Sequence, residues 1–138
     1  MVERVLITGG AGYIGSVLTP LLLKQGFAVT VLDNFTFAQN SLLDCCLNPN
    51  FSVVRGDCRD KETLKAAMKG CDTLIPLAAL VGAPACKQDQ VTATSLNLDA
   101  IKLLLSLRSQ DQRILYPTTN SGYGVGEKGI HCTEETPL

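Results

Sequence analysis

The stretch Thr8-Gly9-Gly10-Ala11-Gly12-Tyr13-Ile14-Gly15 decides how this 138-residue chain folds. It follows an apolar run at residues 4–8 that is typical of a buried strand, and it leads into residues 16–23, whose apolar side chains recur at helical spacing. The glycines therefore lie at a strand–turn–helix junction, and their spacing G-x-x-G-x-x-G is a close relative of a dinucleotide-binding fingerprint.

Each glycine has a physical role at such a junction. Gly9 permits the tight turn, Gly12 lets backbone approach a pyrophosphate, and Gly15 lets the helix pack closely on the strand. The free N–H groups and the positive dipole end of the new helix then face the phosphates. The alternative is a purely structural turn, but the flanking strand and helix favour a phosphate-binding loop.

An acidic residue follows at the end of the next predicted strand. Residues 27–32 form an apolar run that ends at Asp33-Asn34, about 20 positions beyond the glycines, where a carboxylate accepts hydrogen bonds from ribose hydroxyls. This carboxylate would repel a 2′-phosphate, and no Arg or Lys follows before Arg55. The pattern predicts NAD rather than NADP; the alternative is a loop aspartate that caps the next helix.

The rest of the chain alternates strand and helix, as a doubly wound sheet requires. Right-handed crossovers then predict an α/β Rossmann-type fold, with a parallel sheet in the order 3-2-1-4-5 and helices on both faces. The further strands are predicted at residues 51–55, 73–77 and 113–116.

Local signals set the helices between these strands. Asp60 is the predicted N-cap of a helix over residues 61–69, and Gly70 is its predicted stop. Pro20 falls inside the first helix, where it should kink or open the hydrogen-bond ladder. Cys45 and Cys46 lie in a predicted amphipathic helix.

A long helix is predicted over residues 91–109, and its apolar arc is wider than one packing surface needs. The excess indicates a second buried surface, covered either by another helix of the same chain or, as we favour, by a second subunit. One stripe comprises Leu96, Ala100, Leu103 and Leu107, and the second adds Ile101, Leu104 and Leu105.

Composition excludes several classes of function. The net charge is −1 with no charged run, so nothing indicates a nucleic-acid or acidic-membrane partner. No stretch reaches the roughly 18 consecutive apolar residues of a membrane span, and the N-terminus lacks the basic and apolar regions of a signal peptide, so we expect a cytoplasmic protein.

The cysteines and the histidine point to no metal site. The six cysteines form no C-x-x-C pair and are most simply small buried hydrophobic residues. His131 is the only histidine, and we interpret it as a surface residue rather than a catalytic one.

Six motifs are spread over nearly the whole chain: TGGAGYIG at residues 8–15, Asp33-Asn34, GDCRD at 56–60, LAALVG at 77–82, Asn97, and PTTNSGYG at 117–124. Together they resemble the N-terminal part of an extended short-chain dehydrogenase/reductase, in the NAD-dependent epimerase/dehydratase family that modifies nucleotide sugars. The resemblance implies NAD as cofactor and a nucleotide-sugar substrate for the parent protein.

The resemblance also implies individual roles. Asp57 faces the adenine amino group, the Cys58 backbone N–H can donate to a ring nitrogen, and the small Ala78 and Ala79 let backbone approach a flat ring. Thr119 takes the place of the catalytic Ser/Thr; without the resemblance, a strand-end threonine that satisfies backbone is an equal alternative. The residues assigned to cofactor binding are Gly9, Gly12, Tyr13, Ile14, Gly15, Asp33, Asn34, Asp57, Cys58, Leu77, Ala78, Ala79 and Asn97.

The sequence also departs from the family pattern. Pro76 stands where the family often has His, and Val81 stands where some epimerases have a Lys that contacts the cofactor. No tyrosine has a lysine four residues on, so the Tyr-x-x-x-Lys base is absent. We interpret residues 1–138 as an NAD-binding domain that ends before this motif and before the substrate-binding region.

Three functions fit these observations. The parent would be an epimerase or dehydratase that removes and returns hydride at a sugar hydroxyl carbon, with NAD recycled in the site. The alternatives are a dehydrogenase or reductase of the same superfamily with net NADH turnover, and a non-catalytic NAD-binding module.

Overall fold

A computed structural model describes residues 2–119 together with residues 133 and 135. Its sheet has five parallel strands in the order β3-β2-β1-β4-β5, which confirms the predicted topology. The strands are β1 (Arg4–Thr8), β2 (Ala28–Asp33), β3 (Phe51–Arg55), β4 (Thr73–Pro76) and β5 (Arg113–Ile114).

The helices connect these strands on both faces of the sheet. They are α1 (Tyr13–Lys24), α2 (Lys61–Met68), α3 (Ala83–Gln88), α4 (Gln90–Thr94) and α5 (Ala100–Leu107). A 3₁₀ turn spans Leu43–Cys45, and a π-helical turn, Ser95–Asp99, joins α4 to α5.

Two apolar clusters fill the space between the sheet and the helices, because successive strand side chains point to opposite faces. On one face, Leu6, Leu32 and Leu74 pack with residues of α2 and α5. On the other, Val5 and Ile7 belong to a cluster that also includes residues of α1 and the 3₁₀ turn.

The strand register brings the functional loops to one edge. Thr8 at the end of β1 pairs with Leu32 of β2 on one side and with Pro76 of β4 on the other. The glycine loop, Asp33 and the segment that follows β4 therefore all leave the sheet at its carboxyl edge. Strands β2 and β3 lie on one side of β1, and β4 and β5 lie on the other. The connections therefore diverge at this edge, which makes it a topological switch point.

The cap prediction for α2 is confirmed. The Asp60 carboxylate accepts a hydrogen bond from the Thr63 N–H at 2.8 Å. The helix ends at Met68, one residue earlier than predicted, and Gly70 follows with a φ of 73°. Glycine adopts this left-handed conformation at no steric cost.

Several helix predictions were wrong. The 3₁₀ turn Leu43–Cys45 replaces the amphipathic helix predicted around Cys45 and Cys46, and the exposed Cys46 is not a buried hydrophobic residue. The predicted helix over residues 91–109 is interrupted by the π turn, and α3 was not predicted. A kink or an opened hydrogen-bond ladder was expected at Pro20. Helix α1 continues through this residue from Tyr13 to Lys24, and Pro20 is exposed.

The apolar arc of the long helix is divided differently from the prediction. Leu104 is buried with Ala100, because residues i and i+4 lie on the same face of a helix. Its assignment to the second stripe was therefore wrong, whereas Leu105 is 51% exposed and Ile101 is half-buried. The stripe of Leu96, Leu103 and Leu107 packs on the core as predicted. None of the described helices has the length and apolarity that crossing a membrane requires.

Leu64 provides a test of the core beneath α2. It is fully buried among Leu6, Leu32 and Leu74, so Leu64→Ala should lower the free energy of unfolding by about 2–5 kcal/mol through lost burial and a residual cavity. Leu47→Ala is the matched control, because Leu47 is 95% exposed and should change stability by less than about 0.5 kcal/mol. Urea denaturation of both variants measures the difference, and equal losses would contradict this packing.

Candidate functional site

A cleft of about 340 Å³ opens at the carboxyl edge of the sheet. Its walls come from the glycine loop, the loops that follow β2 and β3, the segment after β4, and the helical segment that includes the π turn. The predicted site residues that line it are Gly9, Gly12, Asp33, Asn34, Asp57, Cys58, Leu77, Ala78 and Ala79. The structure therefore brings most of the predicted set together.

Two glycines of the loop, Gly9 and Gly15, lie where no side chain fits. Gly9 has a φ of 71°, and a Cβ there would lie 2.6 Å from the backbone of Ala78. A Cβ on Gly15 would lie 2.4 Å from the Gly10 carbonyl oxygen, so α1 can approach the loop only because residue 15 is glycine. A Cβ on Gly12 would meet only the Gly9 carbonyl oxygen, at 3.2 Å, and Gly12 lines the cleft.

The N-terminus of α1 begins beside the cleft. Gly12 is its N-cap, with no side-chain cap, and the first turn carries no acidic residue. Uncapped N–H groups at a helix start, together with the helix dipole, favour an anionic group. The side chains of Tyr13 and Ile14 are exposed and lie outside the cleft lining, so only their backbone belongs to this arrangement.

Asp33 connects two loops of the cleft. Its carboxylate accepts hydrogen bonds from the N–H of Ala11 at 2.9 Å and from the N–H of Phe35 at 2.8 Å. The alternative, in which this aspartate caps the next helix, was therefore wrong. Each carboxylate oxygen has a second lone pair, so Asp33 can still accept hydrogen bonds from a ligand.

The loop after β2 forms a wall of the cleft. The Asn34 side-chain oxygen accepts hydrogen bonds from the N–H of Thr36 at 3.0 Å and from its hydroxyl at 2.6 Å. Phe35 and Ala38 both have positive φ, at 54° and 51°, a conformation that side chains other than glycine rarely adopt. The predicted site residue Asn34 thus holds the loop shape.

Asp57 lies two residues after the end of β3 and is held by Arg59. The Arg59 Nε–H lies 3.0 and 3.1 Å from the two carboxylate oxygens, and Nη2 lies 2.6 Å from Oδ2. The Arg59 backbone N–H donates to Oδ1 at 2.9 Å. These bonds hold the pKa of Asp57 below its usual value despite partial burial, so the group stays an acceptor at neutral pH.

Cys58 lies beneath the same wall. Its side chain is buried in the core cluster with Leu64 and Met68. Burial, reinforced by the neighbouring Asp57 carboxylate, raises the pKa of the Cys58 thiol to about 11. The side chain is therefore an uncharged packing group at neutral pH.

Asn97, a predicted cofactor contact, bonds to the segment that follows β4. Its side-chain oxygen accepts from the Leu80 N–H and its amide nitrogen donates to the Leu80 carbonyl, each at 2.8 Å. It is outside the cleft lining, whereas Leu80 is part of it. Asn97 therefore acts on the cleft through the segment that follows β4.

The candidate catalytic residue lies at the limit of the described part of the chain. Thr119 is exposed and follows β5 by several residues. The YG-ending segment at residues 120–124, His131 and Cys132 lie outside the described residues. Among the residues that the structure describes, no group of acidic, His or Cys side chains could hold a metal ion.

Sequence reasoning missed part of the cleft lining. Loops after strand ends gather at this edge in any such fold, so Thr36, Phe37 and Arg59 could have been found from that rule. Thr92 and Leu96 lie on the helical segment, and no sequence signal gives the direction in which it crosses the cleft. The missed residues are Leu32, Thr36, Phe37, Gln39, Gly56, Arg59, Leu80, Thr92 and Leu96.

Comparison with known proteins gives relatives with more than one activity. The UDP-N-acetyl-alpha-D-glucosaminuronate decarboxylase of Bacillus cytotoxicus is 30% identical over 91% of this chain and 39% of that protein. The 3 beta-hydroxysteroid dehydrogenase/Delta 5-->4-isomerase of Mycobacterium tuberculosis is 33% identical over 96% of this chain and 36% of that protein. The chain thus spans about two fifths of the length of these relatives.

A solved structure shows the same architecture. The UDP-glucose 4-epimerase of Thermus thermophilus, in complex with NAD, superposes with a TM-score of 0.85. It is 29% identical, and the match covers 98% of this chain and 44% of that one. The sequence profile of the NAD dependent epimerase/dehydratase family matches residues 5–138. The chain belongs to the NAD dependent epimerase/dehydratase family.

Proposed function

We propose that this chain is the NAD-binding part of a nucleotide-sugar epimerase/dehydratase. The observation that carries the proposal is the convergence of the glycine loop, Asp33 and Asp57 on one cleft at the switch point of the sheet. Membership of an NAD-dependent family supports NAD as the ligand.

The cleft has a fitting group for each part of the dinucleotide. The glycine loop and the start of α1 would hold the pyrophosphate, and Asp33 would accept from the adenosine ribose hydroxyls. Asp57 would accept from the adenine amino group, and Ala78 and Ala79 would lie beside the nicotinamide half. Bound NAD would supply a hydride acceptor and donor for a sugar hydroxyl carbon.

The chain's own contribution to chemistry is narrow. We assign Thr119 as the hydroxyl that would hydrogen-bond the reacting sugar oxygen and so orient it. The sequence contains no Tyr-x-x-x-Lys, so a general base of that type is absent from these 138 residues. The domain assignment is therefore a cofactor-binding unit, residues 1–138, and the activity belongs to the parent protein.

A second candidate is a dehydrogenase or reductase with net NADH turnover. The 33% identity to a hydroxysteroid dehydrogenase favours it specifically. A parent protein that converts substrate only with stoichiometric added NAD would support this candidate, and one that works without added NAD would support the epimerase/dehydratase. If the parent binds NAD and converts no such substrate, a non-catalytic NAD-binding module is the better interpretation.

Asp33 gives the test of cofactor choice. Because its carboxylate would repel a 2′-phosphate, NAD should bind at least about tenfold more tightly than NADP, or about 1.4 kcal/mol. Asp33→Asn removes the charge, keeps one of the two loop acceptors and should narrow this gap, whereas Asp44→Asn, on an exposed turn, should leave it unchanged. Fluorescence titration measures both affinities in each protein, and equal affinities in the parent chain would contradict the assignment.

Gly12 gives the test of the phosphate loop. Gly12→Val fills the side of the loop that lines the cleft and should abolish NAD binding. Ala66→Val adds similar bulk on the exposed side of α2 and should have no effect on affinity. Calorimetric titration measures binding, and circular dichroism confirms folding. A folded Gly12→Val chain with unchanged affinity would place the phosphates elsewhere.

Turnover by the chain itself tests the domain assignment. We expect no measurable epimerase, dehydratase or dehydrogenase activity from residues 1–138, because loss of general acid–base help alone costs about 10²–10⁴-fold. Product analysis with UDP-glucose and dTDP-glucose at saturating NAD provides the measurement. Activity in a homogeneous, sequence-verified sample would overturn the assignment.

We propose that the parent protein is a cytoplasmic homodimer, and an exposed apolar face on the π turn and α5 supports the dimer. Leu98 and Leu105 are 47% and 51% exposed, and with Ile101 they form an apolar face at i, i+3 and i+7. Leu105→Glu should shift the mass measured by light scattering toward the monomer, whereas Lys102→Glu, on an exposed position of the same helix, should not. A chain that is already monomeric would contradict the dimer.

A further inference from the structure

Arg59 joins two walls of the cleft. From the loop after β3, it donates to both carboxylate oxygens of Asp57, with 2.6 Å between Nη2 and Oδ2. Its other terminal nitrogen, Nη1, donates to the Ser95 hydroxyl at 3.1 Å, in the π turn. The Ser95 hydroxyl donates in turn to the Thr92 carbonyl at 3.2 Å, so the guanidinium is tied to the helical wall.

The Asp57 carboxylate is nearly saturated by this one residue. Two ionised oxygens offer about four acceptor positions. Three Arg59 donors occupy the carboxylate: the backbone N–H on Oδ1, Nη2 on Oδ2, and Nε shared between both oxygens. This geometry leaves room for about one further donor, and the planar fork of the arginine fixes the direction from which that donor must come.

The positive charge of Arg59 is directed to this carboxylate. The Asp57 contact is the main reason that the pKa of Arg59 lies above its usual value, and Asp89 adds a smaller attraction. The guanidinium bonds one carboxylate and one hydroxyl, and that carboxylate offsets its charge. The arrangement therefore indicates that Arg59 orients the Asp57 carboxylate rather than binding an anion.

We propose that Arg59 is a positioning residue that makes the cleft selective for an adenine amino group, by holding Asp57 with one acceptor position open toward the base. The inference rests on the proposed binding of NAD. A base with a carbonyl in place of the amino group offers no donor there and would meet the carboxylate acceptor to acceptor. Selectivity, rather than affinity alone, is then the property that Arg59 controls.

The test compares NAD with nicotinamide hypoxanthine dinucleotide, which carries a carbonyl where adenine has its amino group. In the unmodified chain, NAD should bind about tenfold more tightly, as expected for one hydrogen bond to a charged acceptor. Arg59→Ala should lower the affinity for NAD about tenfold and the affinity for the hypoxanthine analogue less than about twofold. The ratio of the two affinities then falls toward one. Arg59→Lys keeps the charge without the fork and should also lower the ratio.

Two further variants separate the parts of the proposal. Ser95→Ala removes the anchor of Arg59 on the π turn, together with the hydroxyl's own bond to the Thr92 carbonyl, and should lower the ratio less than Arg59→Ala does. Arg55→Ala is the matched control, because Arg55 is an exposed arginine of β3 that is outside the cleft lining; it should leave the ratio unchanged. Thermal unfolding of every variant confirms that the fold is intact.

The outcomes distinguish this inference from the function on which it rests. If Arg59→Ala lowers the affinity for both dinucleotides by the same factor, or changes neither affinity, the ratio is unchanged. Arg59 then has only a structural role, and the inference is overturned while NAD binding stands. An unmodified chain that binds NAD and its analogue equally well also overturns it. A folded chain that binds neither dinucleotide overturns the proposed function together with the inference.

Discussion

Close backbone packing at the glycine loop is the constraint on which the rest of the cleft depends. A Cβ on Gly9 would lie 2.6 Å from Ala78, and one on Gly15 would lie 2.4 Å from Gly10. These distances are too short for any side chain, so the loop packs against the segment after β4 and against α1 only through bare backbone. Because the loop is held so closely, the start of α1 and the segment after β4 open on the same cleft.

Polar side chains then fix the remaining walls of the cleft. Asp33 holds Ala11 and Phe35, Asn97 holds Leu80, and Arg59 holds Asp57. Each of these contacts joins a loop at a strand end to another part of the cleft or to its own turn. A site whose loops are ordered beforehand loses less conformational entropy when it binds. The acceptor groups that we propose for a dinucleotide are therefore held in fixed positions.

The features predicted correctly from sequence are those with local causes. The strand order follows from chain alternation and crossover handedness, and the Asp60 cap follows from one side chain and one N–H. The π turn has no such local cause, since no residue type in Ser95–Asp99 marks its bonding pattern. Asn97 and Arg59 likewise find partners at Leu80 and Ser95, which are 17 and 36 residues away in the chain. Only the assembled fold shows such pairings.

The most direct test that this cleft binds NAD is the map of backbone amide shifts when NAD is titrated into the ¹⁵N-labelled chain. We expect the largest changes at Gly12, Asp33, Asp57 and Ala78, which line the cleft at the carboxyl edge. A second cleft, lined by Glu3, Phe27 and Arg113, provides the internal control and should show none. Saturable shifts confined to that second cleft, or no saturable shifts in a folded chain, would contradict NAD binding at the carboxyl edge.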